Sequence, residues 1–141
     1  MFKKVLVPLD LQDKQGTAET LAELGPFLTE GGQIFLLTVM PDWQMPLVAS
    51  YFPKGSQDKA RAALLNALDN LAQSQLSGVD VKCMVAIGEA QEQIVQLSKR
   101  EKADLIVIRA QTHGALDKLM VGSVTAKVVE RAPCSVFVLK K

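Results

Sequence analysis

Two places in this chain combine residue types that bind phosphates or sugar hydroxyls. The first is Gly122-Ser123, which stands directly before a helical pattern and downstream of the apolar run Leu105, Ile106, Val107 and Ile108. A Gly-Ser helix entrance offers backbone N–H groups, a hydroxyl and the positive end of a helix dipole, which together suit a phosphate. The same pair also serves as a turn glycine and an N-cap serine with no ligand at all. The second place is Asp10, which closes the short β-branched run Lys4 to Leu9 (KVLVPL). A carboxylate at the end of a parallel strand accepts hydrogen bonds from a ribose or holds a metal. It equally well caps a turn. Both alternatives stay open on the residues alone.

Other reactive groups are sparse. His113 is the one histidine, and no cysteine or serine with a third orienting group accompanies it, so no nucleophile and base pairing emerges. The chain is expected not to be an enzyme, and His113 is a minor candidate only. Cys83 and Cys134 lie in apolar, strand-like contexts without CxxC or Cys/His spacing. They are expected to be buried, reduced, space-filling thiols.

These positions must be held by an alternation of strands and helices. Lys4–Leu9 and Gln33–Val39 (QIFLLTV) read as strands buried on both faces, as does the run Leu105 to Ile108. Val79 to Ile87 alternates, with Asp80 and Lys82 on the outer face, which predicts an edge strand. Ser135–Leu139 (SVFVL) is the last strand; an apolar strand at a sheet edge invites pairing with a second chain. Between the strands, one helix is expected from about Thr17, with Ala18, Leu21, Leu24 and Leu28 on one face. Gly25-Pro26 should kink or end it near Leu24, and Gly31-Gly32 should terminate the unit. The longest helix runs from Ser56 or Asp58 to about Ser77, with Ala60, Ala63, Leu64, Ala67, Leu68 and Leu71 as its core stripe. Another opens after Gly88-Glu89, with Ala90, Ile94, Leu97 and Ser98 inward, and the last spans Ser123 or Val124 to Arg131. A short amphipathic segment with Leu116, Leu119 and Met120 precedes that last helix. Met40 to Gly55 holds three prolines with Trp43, Met45, Leu47, Tyr51 and Phe52. It is expected to be a loop packed on its own domain, with a flap or an interface surface as the alternative.

The βαβαβαβαβ alternation predicts an α/β fold: a single doubly wound domain over residues 1–141 with a five-stranded parallel sheet and helices on both faces. Composition agrees, with 48% hydrophobic and 22% charged residues in 141. No apolar stretch approaches the length of a membrane span, the start MFKK lacks a signal-peptide continuation, and 16 basic against 15 acidic residues form no basic block. A cytoplasmic protein with neither a nucleic-acid nor a membrane surface is expected.

Taken in order, the opening KVLVPLD, the strand FLLTV, the GEAQEQIV helix start at Gly88, and the closing GSVTAKVVERAPCSVFVLK resemble the universal stress protein family in its single-domain, UspA-like form. The resemblance covers the full chain. It implies strand order 3-2-1-4-5, a homodimer through the C-terminal strand, and a regulatory role in stress response. Members that bind ATP carry Gly-x-x-Gly, nine residues, then Gly-Ser or Gly-Thr. Here Arg109 and Thr112 occupy the positions of the two leading glycines, and Gly122-Ser123 remains. Arg and Thr carry Cβ atoms that oppose close backbone approach to a phosphate, although either side chain can reach one itself. The resemblance implies ATP or AMP, with or without Mg, as cofactor. It places Asp10 near the ribose, the Val39 backbone at adenine and Gly122 and Ser123 at phosphate. The full implied set is Pro8, Leu9, Asp10, Val39, Gly88, Arg109, Thr112, Gly122, Ser123 and Val124. The alternative is a dimeric interaction protein of the same fold without nucleotide, using the dimer surface or the Met40 to Gly55 segment to bind an unidentified protein.

Overall fold

The computed structural model describes residues 1–42, 53–110 and 122–140. Most of the Met40 to Gly55 segment, and Thr112, His113, Gly114 and the segment around Leu119, lie outside the described residues.

The β-branched and apolar runs form strands in parallel: β1 (Phe2–Pro8), β2 (Leu28–Met40), β3 (Asp80–Ile87), β4 (Leu105–Arg109) and β5 (Ser135–Leu139). They lie in the order β3-β2-β1-β4-β5. Between them run α1 (Lys14–Ala22), α2 (Ser56–Gln75), α3 (Ala90–Arg100) and α4 (Ser123–Arg131), so the described chain alternates strand and helix throughout. The order reverses at β1, whose neighbours are β2 on one side and β4 on the other. A parallel sheet with that reversal opens a crevice outside the strand carboxyl ends between β1 and β4.

Alternation of side chains along each strand feeds two cores. On one face Val5, Val7, Leu9, Ile34, Leu36, Leu105 and Val107 pack with Leu21 and Leu24 and with Leu68 of α2. On the other, Leu6, Phe35, Leu37, Ile106 and Ile108 pack with Ile94 and Leu97 of α3 and Val128 of α4. Strands buried on both faces read as unbroken apolar runs for this reason. Of the α2 stripe, Ala60, Leu64, Leu68 and Leu71 meet the core. Ala63 faces solvent.

Three local expectations are corrected. The first helix starts at Lys14 rather than Thr17, because Asp13 caps it, and its inner face is Thr17, Thr20 and Leu21, while Ala18 is exposed. It ends at Ala22, a short 3-10 turn follows at Gly25–Phe27 around Pro26, and Leu28 already belongs to β2. Gly31-Gly32 does not terminate a unit: both glycines lie inside β2, where pairing with β1 jumps from Phe2↔Leu28 to Lys4↔Gln33. Gly31 takes φ 74° within that irregularity, a conformation glycine adopts without Cβ strain. Finally, Cys83 and Cys134 are half-buried rather than buried, since β3 and the approach to β5 lie at the two margins of the sheet.

Candidate functional site

The crevice at the β1/β4 reversal is a cavity of about 300 Å³, at the small end of the range that accepts a small-molecule ligand. Six elements build it. Pro8, Leu9 and Asp10 come from the end of β1, Leu37, Thr38 and Val39 from the end of β2, and Ile108 and Arg109 from the end of β4. Helix α1 and its cap add Asp13, Gly16, Thr17 and Thr20, α3 adds Ala90 and Ile94, and the start of α4 adds Gly122, Ser123, Val124 and Thr125. Leu37, Val39, Ala90, Ile94 and Ile108 form an apolar wall, and α1 and α4 supply polar rims.

The polar rims differ in one respect. At α1 the Asp13 Oδ1 accepts the Gly16 N–H at 2.9 Å, so a carboxylate of the chain already occupies that helix entrance. At α4 the N-cap is Gly122, not Ser123, and among the described residues no side chain caps it. The first turn of α4 lines the cavity with its N–H groups at the positive end of the helix dipole, and no side-chain acceptor for them occurs among the described residues. Thr125 lies one turn in, only 2% exposed and lining the same space.

Buried threonines explain the polar inner face of α1. Thr17 Oγ1 donates to the Asp10 carbonyl at 3.1 Å, Thr20 Oγ1 to the Gly16 carbonyl at 2.7 Å, and Thr38 Oγ1 to the Leu9 carbonyl at 3.1 Å. These bonds hold the β1 exit against α1 and β2. The exit itself is a turn, in which Asp10 Oδ1 accepts the Gln12 N–H at 3.0 Å and the Asp13 N–H bonds the Asp10 carbonyl at 3.1 Å. Asp10 thus makes the turn contact and also lines the cavity from an exposed position.

Arg109 closes the remaining side. Its Nη1 donates to Glu19 Oε2 at 2.6 Å and its Nε stands 3.7 Å from Asp13 Oδ2, with the side chain 20% exposed. Asp13 serves two partners at once, the helix entrance and the guanidinium. Gly16 makes room for this: a Cβ there would fall 2.1 Å from Asp13 Oδ2 and 2.8 Å from Arg109 Nε.

Of the residues expected at the site, Pro8, Leu9, Asp10, Val39, Arg109, Gly122, Ser123 and Val124 all line the cavity. Gly88 does not line it; its N–H bonds the Met40 carbonyl at 2.9 Å, extending the β2–β3 ladder ahead of α3. Thr112 lies outside the described residues. Asp13, Gly16, Glu19, Thr38 and Thr125 were not singled out from sequence. The spacing of Asp13 three residues before Gly16 is an N-cap signal, but it sits in the polar stretch that reads as loop.

Comparison with known proteins agrees with this architecture. The family model "Universal stress protein family" matches residues 1–140. The universal stress protein MJ0531 of Methanocaldococcus jannaschii is 26% identical over 145 aligned positions, covering 100% of this chain and 84% of that protein. Among solved structures, the protein MJ0577 superposes with a TM-score of 0.80 at 25% identity, covering 100% of this chain and 97% of that one. A family protein from Arabidopsis thaliana, solved with AMP bound, has the same fold, with a TM-score of 0.65 at 22% identity over 99% of this chain and 92% of that one. Strand order, the crevice at the sheet reversal, the Gly122-Ser123 entrance and a family match over almost the whole length converge, and the chain belongs to the universal stress protein family.

Proposed function

We propose that the crevice binds an adenine nucleotide and that the protein acts as a regulatory, non-catalytic module of a cytoplasmic stress response. The observation that carries this reading is the uncapped entrance of α4 facing a cavity whose opposite walls are apolar. A phosphate accepts hydrogen bonds from the first-turn N–H groups of α4, and a purine fits against Val39, Leu37 and Ile94. Asp10 is positioned to accept from ribose hydroxyls. The AMP on the Arabidopsis relative supports the choice of ligand class. The residues also fit Mg²⁺ as a companion. Among the described residues no group of three or more His, Cys, Asp or Glu would hold a metal by itself, but Asp10 and Asp13 both line the cavity. One or two carboxylates with substrate phosphates suffice for that ion.

A second reading rests on Arg109. Its guanidinium is engaged by Asp13 and Glu19, and Arg109 and Thr112 replace glycines of the ATP-binding pattern. On that reading the crevice holds no nucleotide and the protein acts through a protein partner. In both readings β5 pairs with a second copy, because it ends the sheet with Phe137 38% exposed and its ring tilted against Phe27 at 4.6 Å between centroids. Denaturing purified protein and analysing the released small molecules by mass spectrometry separates the two. Adenine nucleotide near one per chain supports the first; repeated emptiness with no thermal shift at millimolar AMP or ATP supports the second.

A further inference from the structure

Buried threonines line the crevice where β1, β2 and α1 meet, and each has its one hydroxyl proton committed to the backbone. Thr38 Oγ1 donates to the Leu9 carbonyl at 3.1 Å, Thr17 Oγ1 to the Asp10 carbonyl at 3.1 Å and Thr20 Oγ1 to the Gly16 carbonyl at 2.7 Å. A hydroxyl has one proton and two lone pairs, so what these side chains offer a ligand they offer as acceptors. Turning a proton towards the ligand would give up a hydrogen bond inside a buried wall. The first turn of α4 has the opposite character, because its backbone N–H groups can only donate. The crevice is therefore matched by a ligand with acceptor atoms at one end and a hydrogen-bond donor at the other.

We propose that Thr38 and Thr20 are specificity-determining residues of the crevice, whose hydroxyl oxygens accept from the 6-amino group of an adenine base. The proposal rests on the adenine-nucleotide reading above and adds the side chains that recognise the base. Thr38 stands between Leu37 and Val39, against which that reading seats the purine, and all three line the crevice. Thr17 and Thr20 share one face of α1, three residues apart. Thr17 bonds the carbonyl of Asp10, the residue assigned to the ribose, and Thr20 lies one turn further along the helix. The 6-amino group is the exocyclic donor of adenine. A buried site built to accept from such a group discriminates against a base that lacks it, because the site's own polar atoms are then left without a partner.

The test is calorimetric titration of the wild-type protein, Thr38→Val, Thr20→Val and Thr38→Ser with AMP, 2′-deoxy-AMP and purine riboside 5′-monophosphate, which is AMP without its 6-amino group. Valine keeps the branched shape of threonine and removes the oxygen, whereas serine keeps the hydroxyl. The readout is the ratio of the affinities for AMP and for the analogue without the amino group, since a variant that only loosens the site weakens both ligands together. The wild type should favour AMP by about tenfold, the scale of a hydrogen bond between neutral groups, and each valine variant should shrink that ratio about threefold or more while Thr38→Ser keeps it. Wild-type protein that binds the two equally, or valine variants that keep the wild-type ratio, would overturn the assignment and leave the nucleotide reading intact. Valine variants that instead change the ratio of AMP to 2′-deoxy-AMP would put the threonines at the sugar and overturn it as well. Binding of none of the three ligands by the wild type would overturn the nucleotide reading, and the assignment with it.

Discussion

Gly16 is the position where the site's geometry is most exposed to a single methyl group. Alanine in place of a helical glycine is worth about 0.5–1 kcal/mol of stability, so Gly16→Ala taken as a helix substitution alone should stabilise the fold. The added Cβ, however, would lie 2.1 Å from Asp13 Oδ2, 2.7 Å from Asp13 Cγ and 2.8 Å from Arg109 Nε. Asp13 must leave its cap position, at a cost of about 1 kcal/mol, and Arg109 must move as well. The two terms leave Gly16→Ala neutral to about 1 kcal/mol destabilised, or up to about 3 °C in melting temperature for a domain of this size. In an Asp13→Ala background the cap is already gone and most of the clash with it, so the same glycine substitution should then recover its helical gain. A double-mutant cycle by urea denaturation should give a coupling of about 1–2 kcal/mol between the two positions. If Gly16→Ala stabilises the wild type by as much as it stabilises Asp13→Ala, the close approach of Asp13 and Arg109 is not what glycine is there to permit.

Three further outcomes follow from the same geometry. Asp10→Ala should weaken AMP binding by about 1–3 kcal/mol, the scale of hydrogen bonds to a charged group, and calorimetry showing unchanged affinity would leave Asp10 a turn residue that accepts the Gln12 N–H, with no ligand role. Val138→Pro removes a backbone donor from the edge strand β5 and should yield monomer or insoluble protein; wild-type chain that sediments as a monomer at high micromolar concentration would contradict the dimer on which this rests. Burial first, and then the neighbouring Asp69 carboxylate, push the Cys83 thiol from 9.0 up to about 12. Between those values the unfolded thiol ionises while the folded one does not, so its contribution to stability is complete below pH 9.0 and is lost as pH rises through about 12. Alkylation of Cys83 at pH 8.5 should accordingly be much slower in native than in urea-unfolded protein, and equal rates would refute the assignment.

The strands were legible because each is an unbroken apolar or alternating run, and the sheet's burial on both faces leaves that signature directly in Val5 to Val7 and Leu105 to Ile108. The start of α1 was not, because its inner face is made of Thr17 and Thr20, which face the cavity rather than an apolar core, so the usual 3.6-residue apolar pattern is missing where the helix serves the site. The glycine pair in β2 misled for a related reason. A local break signal at Gly31-Gly32 is absorbed as an irregularity within a strand held by β1 on one side and β3 on the other. Within the site, Asp10, Arg109 and Gly122-Ser123 could be found by position at strand and helix ends. The pairing of Arg109 with Glu19 could not, since it joins residues 90 positions apart through the β1/β4 contact that only the folded sheet creates.

The central claim is that the crevice between β1 and β4 is a nucleotide site. Calorimetric titration of wild-type protein with AMP tests it most directly. Saturable binding at one ligand per chain, displaced by adenosine and weakened when Ser123→Pro removes a first-turn N–H group, is the predicted result. An absence of heat and of any thermal shift up to millimolar AMP would contradict it.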